Sequence, residues 1–304
     1  GVKMKVVVFG GSGFLGSHVS DCLSQDGHEV FIYDCRASDY LLPEQKMIQG
    51  DILDQVRVSE TVNGSDVVYN FAGISDIDEA SKKPLDSVKL NILGNAIILE
   101  ACRKAGVKRF VFASSLYVYS NAGSFYRSTK QACELVTENY REMFGLNYTI
   151  LRYGSLYGPR SNQNNYIYAL IKQALIEGKI TREGDGEEIR EYIHVQDASR
   201  CSVEILGDEF ANQYVVITGN QQTKIKDLFI MVREILDNKI RIEYKPPMSD
   251  IHYEITPYTF SPKIAKRLVS KTYLDFGQGL LKQIQDIYGD LSHSTRYNGL
   301  MVDK

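Results

Sequence analysis

Lys5-Val-Val-Val-Phe9 runs without a break into Gly10-Gly-Ser-Gly-Phe-Leu-Gly16, and this junction decides the fold. A short valine-rich run reads as a buried strand. The glycines that follow open a helical pattern, Gly16–Gln25, so the cluster sits at a strand-to-helix turn, where a glycine motif carries information. It can be read as G-x-x-G-x-x-G from Gly10 or as G-x-G-x-x-G from Gly11. In either register the first glycine permits the tight turn and Gly13 lets the backbone approach a pyrophosphate. Gly16 lets the helix pack close to the strand, and the helix N-terminus supplies N–H groups and a positive dipole end. Gly10, Gly13, Phe14, Leu15 and Gly16 are therefore the first cofactor-binding candidates.

A glycine-rich turn without a ligand has the same local sequence. Asp34 argues against that, because it ends the second apolar run, Glu29–Asp34, at the distance where a carboxylate accepts from both ribose hydroxyls of a dinucleotide. An acid there repels a 2′-phosphate, which favours NAD over NADP, and Arg36 is the neighbour that softens this preference. Gly50-Asp51-Ile52, after the third run Lys46–Gln49, offers Asp51 and Ile52 to the adenine edge.

Further along, Asp66–Asn70, Arg109–Ser114 and Asn147–Tyr153 read as strands. Amphipathic stretches at Pro84–Ala105 and Tyr126–Phe144 separate them. Such alternation predicts an α/β fold, a Rossmann-type doubly wound parallel sheet with right-handed crossovers. The character changes after Tyr157-Gly158-Pro159. Residues 1–158 are expected to form the NAD-binding domain and 159–304 mainly a smaller α/β substrate-binding domain, with segments near 192–218 returning to the first sheet. Helices are expected at Tyr166–Glu177, Lys224–Leu236 and Gly277–Tyr288, and a strand at Val215–Thr218.

The chain has 304 residues, 43% of them hydrophobic and 24% charged, with a formal net charge of −3. This is the composition of an ordinary globular protein, and it gives no basic field for a nucleic-acid backbone. No apolar run approaches the roughly 20 residues of a membrane span, and no signal peptide is apparent. Cys22, Cys35, Cys102, Cys133 and Cys201 are scattered and odd in number. No disulfide framework or metal site is expected, and a cytoplasmic location fits.

The chemistry is carried by Tyr126-Arg-Ser-Thr-Lys130, which places a phenol and an ammonium on one helix face. A free tyrosine titrates near about 10. The lysine and a positively charged nicotinamide both favour the phenolate, which can then serve as a base near neutral pH. Ser114 and Ser115 end the fifth strand, on the carboxyl edge where ligands bind. Tyr168-Ala-Leu-Ile-Lys172 repeats the spacing, but on a helix beyond the dinucleotide-binding half.

Together these residues resemble the extended short-chain dehydrogenase/reductase family, in its nucleotide-sugar epimerase/dehydratase branch. The similarity runs from about Met4 to Leu281 and includes Gly10–Gly16, Asp34, Gly50-Asp51, Asn70-Phe-Ala-Gly73, Asn91, Phe112–Tyr119, Tyr126 with Lys130, Leu151-Arg-Tyr153, Leu156-Tyr-Gly-Pro-Arg160 and Gly184–Asp197. The resemblance implies that Tyr126 deprotonates a sugar hydroxyl, usually at C4, while hydride passes to tightly held NAD. It assigns Ser115 as the catalytic serine, and Ala72, Gly73, Asn91, Tyr126, Lys130 and Tyr153 to the cofactor. Ser75, Ser115, Tyr117, Ser155, Arg160 and Arg190 would face a nucleotide-diphosphate sugar, with Arg190 gripping the diphosphate.

The departures from the family pattern carry equal information. Leu116 and Tyr117 stand where a 4,6-dehydratase carries an Asp-Glu pair, which disfavours dehydration and the decarboxylase variant. Ser155 replaces an asparagine, and no arginine of an R-x-G-D element lies near Pro246-Pro-Met-Ser-Asp250. Ser115 and Tyr126 are closer in sequence than the family's usual interval, although eleven residues still span about 36 Å. A nucleotide-sugar 4-epimerase working through a 4-keto intermediate is the leading expectation. A 4-dehydrogenase that releases the ketone is the alternative, and a non-catalytic NAD-sensing protein a third. A homodimer built on the Pro84–Ala105 and Tyr126–Phe144 helices is implied by the resemblance.

Overall fold

The computed structural model describes residues 1–120, 122–247 and 266–293. Its strands are β1 Lys5–Phe9, β2 Glu29–Asp34, β3 Lys46–Gln49, β4 Val67–Asn70, β5 Arg109–Ser115, β6 Tyr148–Tyr153, β7 Ser155–Tyr157, β8 Lys179–Glu183, β9 Ile189–Arg190, β10 Tyr192–His194, β11 Gln213–Ile217, β12 Thr223–Lys224, β13 Arg241–Lys245 and β14 Lys266–Leu268. The helices are α1 Phe14–Gln25, α2 Gln55–Val62, α3 Ile77–Lys82, α4 Pro84–Ser87, α5 Gly94–Ala105, α6 Ser124–Phe144, α7 Tyr166–Glu177, α8 Val195–Glu204, α9 Ile225–Ile235 and α10 Phe276–His293.

Eight strands form one parallel sheet in the order β14-β11-β6-β5-β4-β1-β2-β3. The order reverses at β1, whose neighbours are β2 and β4, and the crevice beyond the carboxyl ends of β1 and β4 is where such folds bind ligands. Val6 and Val8 face the layer of α1 and α8, packing with Val19, Leu23, Ala198 and Cys201. Val7 and Phe9 face α2, α5 and α6, with Val58, Ile98, Leu99 and Cys133. Burial on both faces is why the strand is an unbroken apolar run rather than an alternating one. A third core lies in the remainder of the chain, where Ile171 of α7, Leu228 and Phe229 of α9, and Leu280 and Ile284 of α10 pack together.

The expected Pro84–Ala105 helix is divided. Val88–Leu93 is wound as a π-helix between α4 and α5, and it carries Asn91. The strand expected at Val215–Thr218 is β11, which joins the main sheet between β6 and β14. Helices α2 and α3 were not evident in the hydrophobic pattern, because eight and six residues hold too few turns to show a period. Their starts are marked instead by Asp54 and Asp76, which accept from the amides of Arg57 at 3.0 Å and Glu79 at 2.7 Å. Among the described residues no helix is long and apolar enough to cross a membrane.

Candidate active site

The glycine loop is a backbone cradle. Gly10 has φ +76°, and a Cβ there would stand 2.7 Å from the Ala72 amide nitrogen at the end of β4. A Cβ on Gly16 would collide with the Gly10 carbonyl oxygen, and one on Gly13 would press it at 3.3 Å. Gly13 occupies the N-cap of α1 and has no side chain to satisfy the first helical amides, those of Phe14, Leu15 and Gly16. Asp34, at the end of β2, faces this loop. Its carboxylate accepts from the Ser12 amide at 3.1 Å and from the Arg36 amide at 3.1 Å. The Ser12 hydroxyl donates to the Arg36 carbonyl at 2.8 Å, so the loop and the end of β2 are held as one unit.

Around this unit the other cofactor candidates divide into exposed groups and braces. Asp51 is exposed, and its carboxylate accepts from the Leu53 amide at 2.9 Å. Ile52 is buried, and a side chain at Gly94 would strike it at 2.5 Å. Ala72 and Gly73 form the turn after β4. Asn91 secures that turn, accepting from the Ile74 amide at 2.7 Å and donating to Thr129 Oγ1 of α6 at 3.1 Å. Its side chain therefore ties the turn to the catalytic helix. Tyr153 departs from its expected role. Its phenol is buried beneath the sheet against Ser202 Oγ at 2.5 Å, leaving only its backbone for a ligand.

The two serines of β5 have opposite fates, because successive side chains leave a strand on opposite faces. Ser114 donates to Glu134 Oε1 at 2.7 Å and belongs to the buried layer below α6. Ser115 lies at the strand end, where its hydroxyl accepts from the Tyr117 amide at 3.2 Å. Tyr117 then meets the ring of Tyr126 edge-on, with centroids 6.0 Å apart. Ser115 and Tyr126 are thus linked through one intervening residue.

Lys130, one turn after Tyr126, donates to the Ala113 carbonyl at 2.7 Å and holds its ammonium 5.6 Å from the Tyr126 ring centroid. Burial pushes the lysine pKa down, while Cys133 and Glu134 pull it back up. The second Tyr-Lys spacing has no such setting, since Tyr168 packs against the third core on α7.

Beneath these groups lies a buried ion pair that the sequence did not single out. Arg152 of β6 donates from Nε and Nη2 to the two oxygens of Glu134, each at 2.9 Å. Its guanidinium lies between the rings of Tyr119 and Tyr214, 4.5 and 4.4 Å from their centroids, and also donates to the Tyr119 hydroxyl. Glu134 lies one turn beyond Lys130 on α6, and Arg152 pairs with Ser114 across the sheet. The pair therefore joins the helix bearing Tyr126 to the strand bearing Ser115. Its members were hidden among the many other charged residues of the chain.

The expected substrate contacts are more dispersed. Ser75 is exposed beyond the β4 turn, and Ser155 is half-buried in β7, opposite Tyr192 of β10. Arg190 is buried, donating to its own neighbour's carbonyl, that of Ile189, at 3.0 Å. Arg160 is drawn away from its expected role. With φ +69°, it pairs with Asp21 of α1 at 2.7 Å and stacks over Tyr40 at 4.5 Å. Arg182 pairs with Glu188 at 2.7 Å and lies over the Tyr166 ring at 5.1 Å, a cluster that no motif indicated. Met248–Asp250 lie outside the described residues.

The sequence pattern of the NAD dependent epimerase/dehydratase family matches residues 6–217. A putative UDP-glucose 4-epimerase of Methanocaldococcus jannaschii is 27% identical, over 92% of this chain and 97% of its own. A UDP-N-acetyl-alpha-D-glucosaminuronate decarboxylase of Bacillus cytotoxicus is also 27% identical, over 81% of this chain and 84% of its own. In fold, the chain superposes on the crystal structure of UDP-glucose 4-epimerase from Thermotoga maritima, solved with UDP-glucose. The TM-score is 0.81 at 24% identity, covering 95% of this chain and all of that one.

Proposed function

We propose that this chain, which belongs to the NAD-dependent epimerase/dehydratase family, is a nucleotide-sugar 4-epimerase working through a 4-keto intermediate. The observation that carries this is the cluster at the end of β5. There the Lys130 ammonium, fixed on the Ala113 carbonyl, lies beside the Tyr126 ring, and Tyr117 links that ring to Ser115. The relatives named for UDP sugars support uridine diphosphate as the carrier.

The cradle fits the cofactor. Side chains at Gly10 and Gly16 would collide with neighbouring backbone, so glycine there lets the loop close tightly, the shape that brings backbone amides to a pyrophosphate. The Asp34 carboxylate, already accepting loop amides, is positioned to take ribose hydroxyls. When bound, NAD supplies the two-electron acceptor for alcohol oxidation. Ser115 orients the sugar hydroxyl, Tyr126 removes its proton and Lys130 stabilises the phenolate by charge. Epimerisation would be complete once the 4-keto sugar presents its other face, with hydride returned to C4 from the cofactor and the proton returned by Tyr126 to the C4 oxygen. Leu116 is fully buried and Tyr117 carries a phenol, so the acid-base pair needed for dehydration is missing at these two positions.

Incubation with a panel of UDP sugars tests the proposal. A C4-inverted product with no net change in NADH is expected. Stoichiometric NADH with free ketone would instead establish the 4-dehydrogenase, a reading favoured by the short Ser115–Tyr126 segment.

The apolar side chains that α5 and α6 leave at the surface support a homodimer. Leu135, Met143 and Phe144 of α6 are 52, 73 and 54% exposed, and Leu93 before α5 is 47% exposed. A dimer is expected in light scattering at micromolar concentration, and a monomer there rules it out. Five cysteines free of disulfides support a reducing compartment, the cytoplasm.

A further inference from the structure

The segment between Ser115 and Tyr126 is short, and it is braced. Ser115 caps the turn Leu116–Tyr119 through the Tyr117 amide. From α6, Arg127 donates to the Ser120 carbonyl at 2.8 Å and Gln131 to the Val118 carbonyl at 3.0 Å. The buried Arg152 holds the far end of the turn through Tyr119. Gly123, at φ +100°, lies so close to the Tyr117 ring that a Cβ would come within 2.7 Å of Cδ1. Four of these contacts hold the turn at Tyr117, Val118, Tyr119 and Ser120, and Gly123 crowds the half-buried Tyr117 ring, which stands perpendicular to that of Tyr126.

From this geometry we infer that Tyr117 is a specificity-determining residue, whose ring is the wall against which the sugar carbons flanking the oxidised centre pack. A hydroxyl that reaches both Ser115 and Tyr126 must place its ring carbons beside Tyr117. An aromatic wall packs well against the C–H groups of a sugar and offers no cation to a carboxylate. Arg127 of α6 has its Nη1 engaged with the Ser120 carbonyl, which takes that donor away from a substrate carboxylate. The site is therefore selective for neutral sugars over uronates at the carbon next to the reacting one. This inference rests on the cleft being the sugar site, but it does not require that the bound sugar be epimerised.

The experiment is calorimetric titration of NADH-loaded full-length protein with UDP-glucose and with UDP-glucuronate. Wild type, Tyr117→Phe, Tyr117→Leu and Tyr117→Ala are compared. Wild type is expected to bind UDP-glucose at least tenfold tighter. Tyr117→Phe should keep the ratio within twofold, because the ring is retained, whereas Tyr117→Leu and Tyr117→Ala should reduce it below threefold. The leucine variant keeps apolar volume in place should the alanine variant fail to fold. Equal or tighter binding of the uronate by wild type, no binding of either sugar, or an unchanged ratio in the leucine variant would overturn the inference. If the ratios behave as expected but no sugar is turned over, the proposed epimerase activity fails and the role of Tyr117 stands.

Discussion

The glycine cradle beside β1 and the lobe that carries β8 and β9 are built by different means. In the cradle the decisive groups are backbone atoms. Gly10, Gly13 and Gly16 lie within seven residues; neighbouring backbone atoms leave no room for a Cβ at Gly10 or Gly16 and would be pressed by one at Gly13. In the lobe the decisive groups are long charged side chains on short strands, Arg182 with Glu188 and the buried Arg190 of β9. Backbone geometry is a local property, so the first region can be read from a contiguous motif. Arg182 and Glu188 lie six residues apart across the turn from β8 to β9, and no residue-type pattern marks such a pair among the chain's other charges, so the second region cannot.

The sharpest break of this contrast is at the catalytic base. Tyr126→Phe should lower turnover by about 10²–10⁴-fold, the range for a lost general base, while NAD affinity stays within twofold. Survival of activity would remove Tyr126 from the mechanism. The cradle is tested by Gly16→Ala, whose methyl group would collide with the Gly10 carbonyl. At least a tenfold loss in NAD affinity is expected, measured by fluorescence titration, with sugar binding affected much less.

The buried ion pair comes next. Glu134→Gln leaves the Arg152 guanidinium without its counter-charge at a site where both side chains are nearly inaccessible. Removing one partner of such a pair costs about 3–5 kcal/mol, measured by chemical denaturation. An effect below about 1 kcal/mol would mean that the pair contributes little to joining α6 to β6.

A pH effect is expected at the boundary between the two regions. Burial holds His194 at about 4, well below its ordinary 6.5, and it depresses His18 in the same direction. His194 stays neutral in the folded protein down to about pH 4, so the unfolded chain binds more protons between about pH 6.5 and 4. Stability is therefore full above pH 6.5 and declines as the pH falls towards 4, by up to about 3 kcal/mol for His194. His194→Asn, which keeps an acceptor for the Gln196 amide, should flatten that decline in thermal melts.

The smallest effect concerns Arg160. Because it is committed to Asp21 and Tyr40, Arg160→Ala should cost about 1 kcal/mol in stability and leave the sugar KM within twofold. A large rise in KM would return this residue to the substrate site.

Much of the first half was legible in the sequence. Strands β1, β2 and β3 have the bounds their apolar runs suggested, and the pairing of Tyr126 with Lys130 follows from helical spacing alone. The difference between Ser114 and Ser115 was not legible, because two adjacent serines on one strand differ only in the face they meet. The short helices α2 and α3 and the edge strand β14 were missed because each is too brief to show a period.

By itself, then, the sequence pointed to a glycine loop suited to a dinucleotide, to Asp34 at the end of β2, and to a serine-tyrosine-lysine set proposed for oxidising an alcohol. These depend on the identity and spacing of residues near one another in the chain. Only the tertiary structure decided that Tyr153 turns into the core and that Arg160 serves α1. It alone seated Arg152 on Glu134 and fixed Tyr117 beside the catalytic phenol. Each of these is set by which distant segment lies across from the residue, and sheet order and helix packing decide that only once the chain has folded.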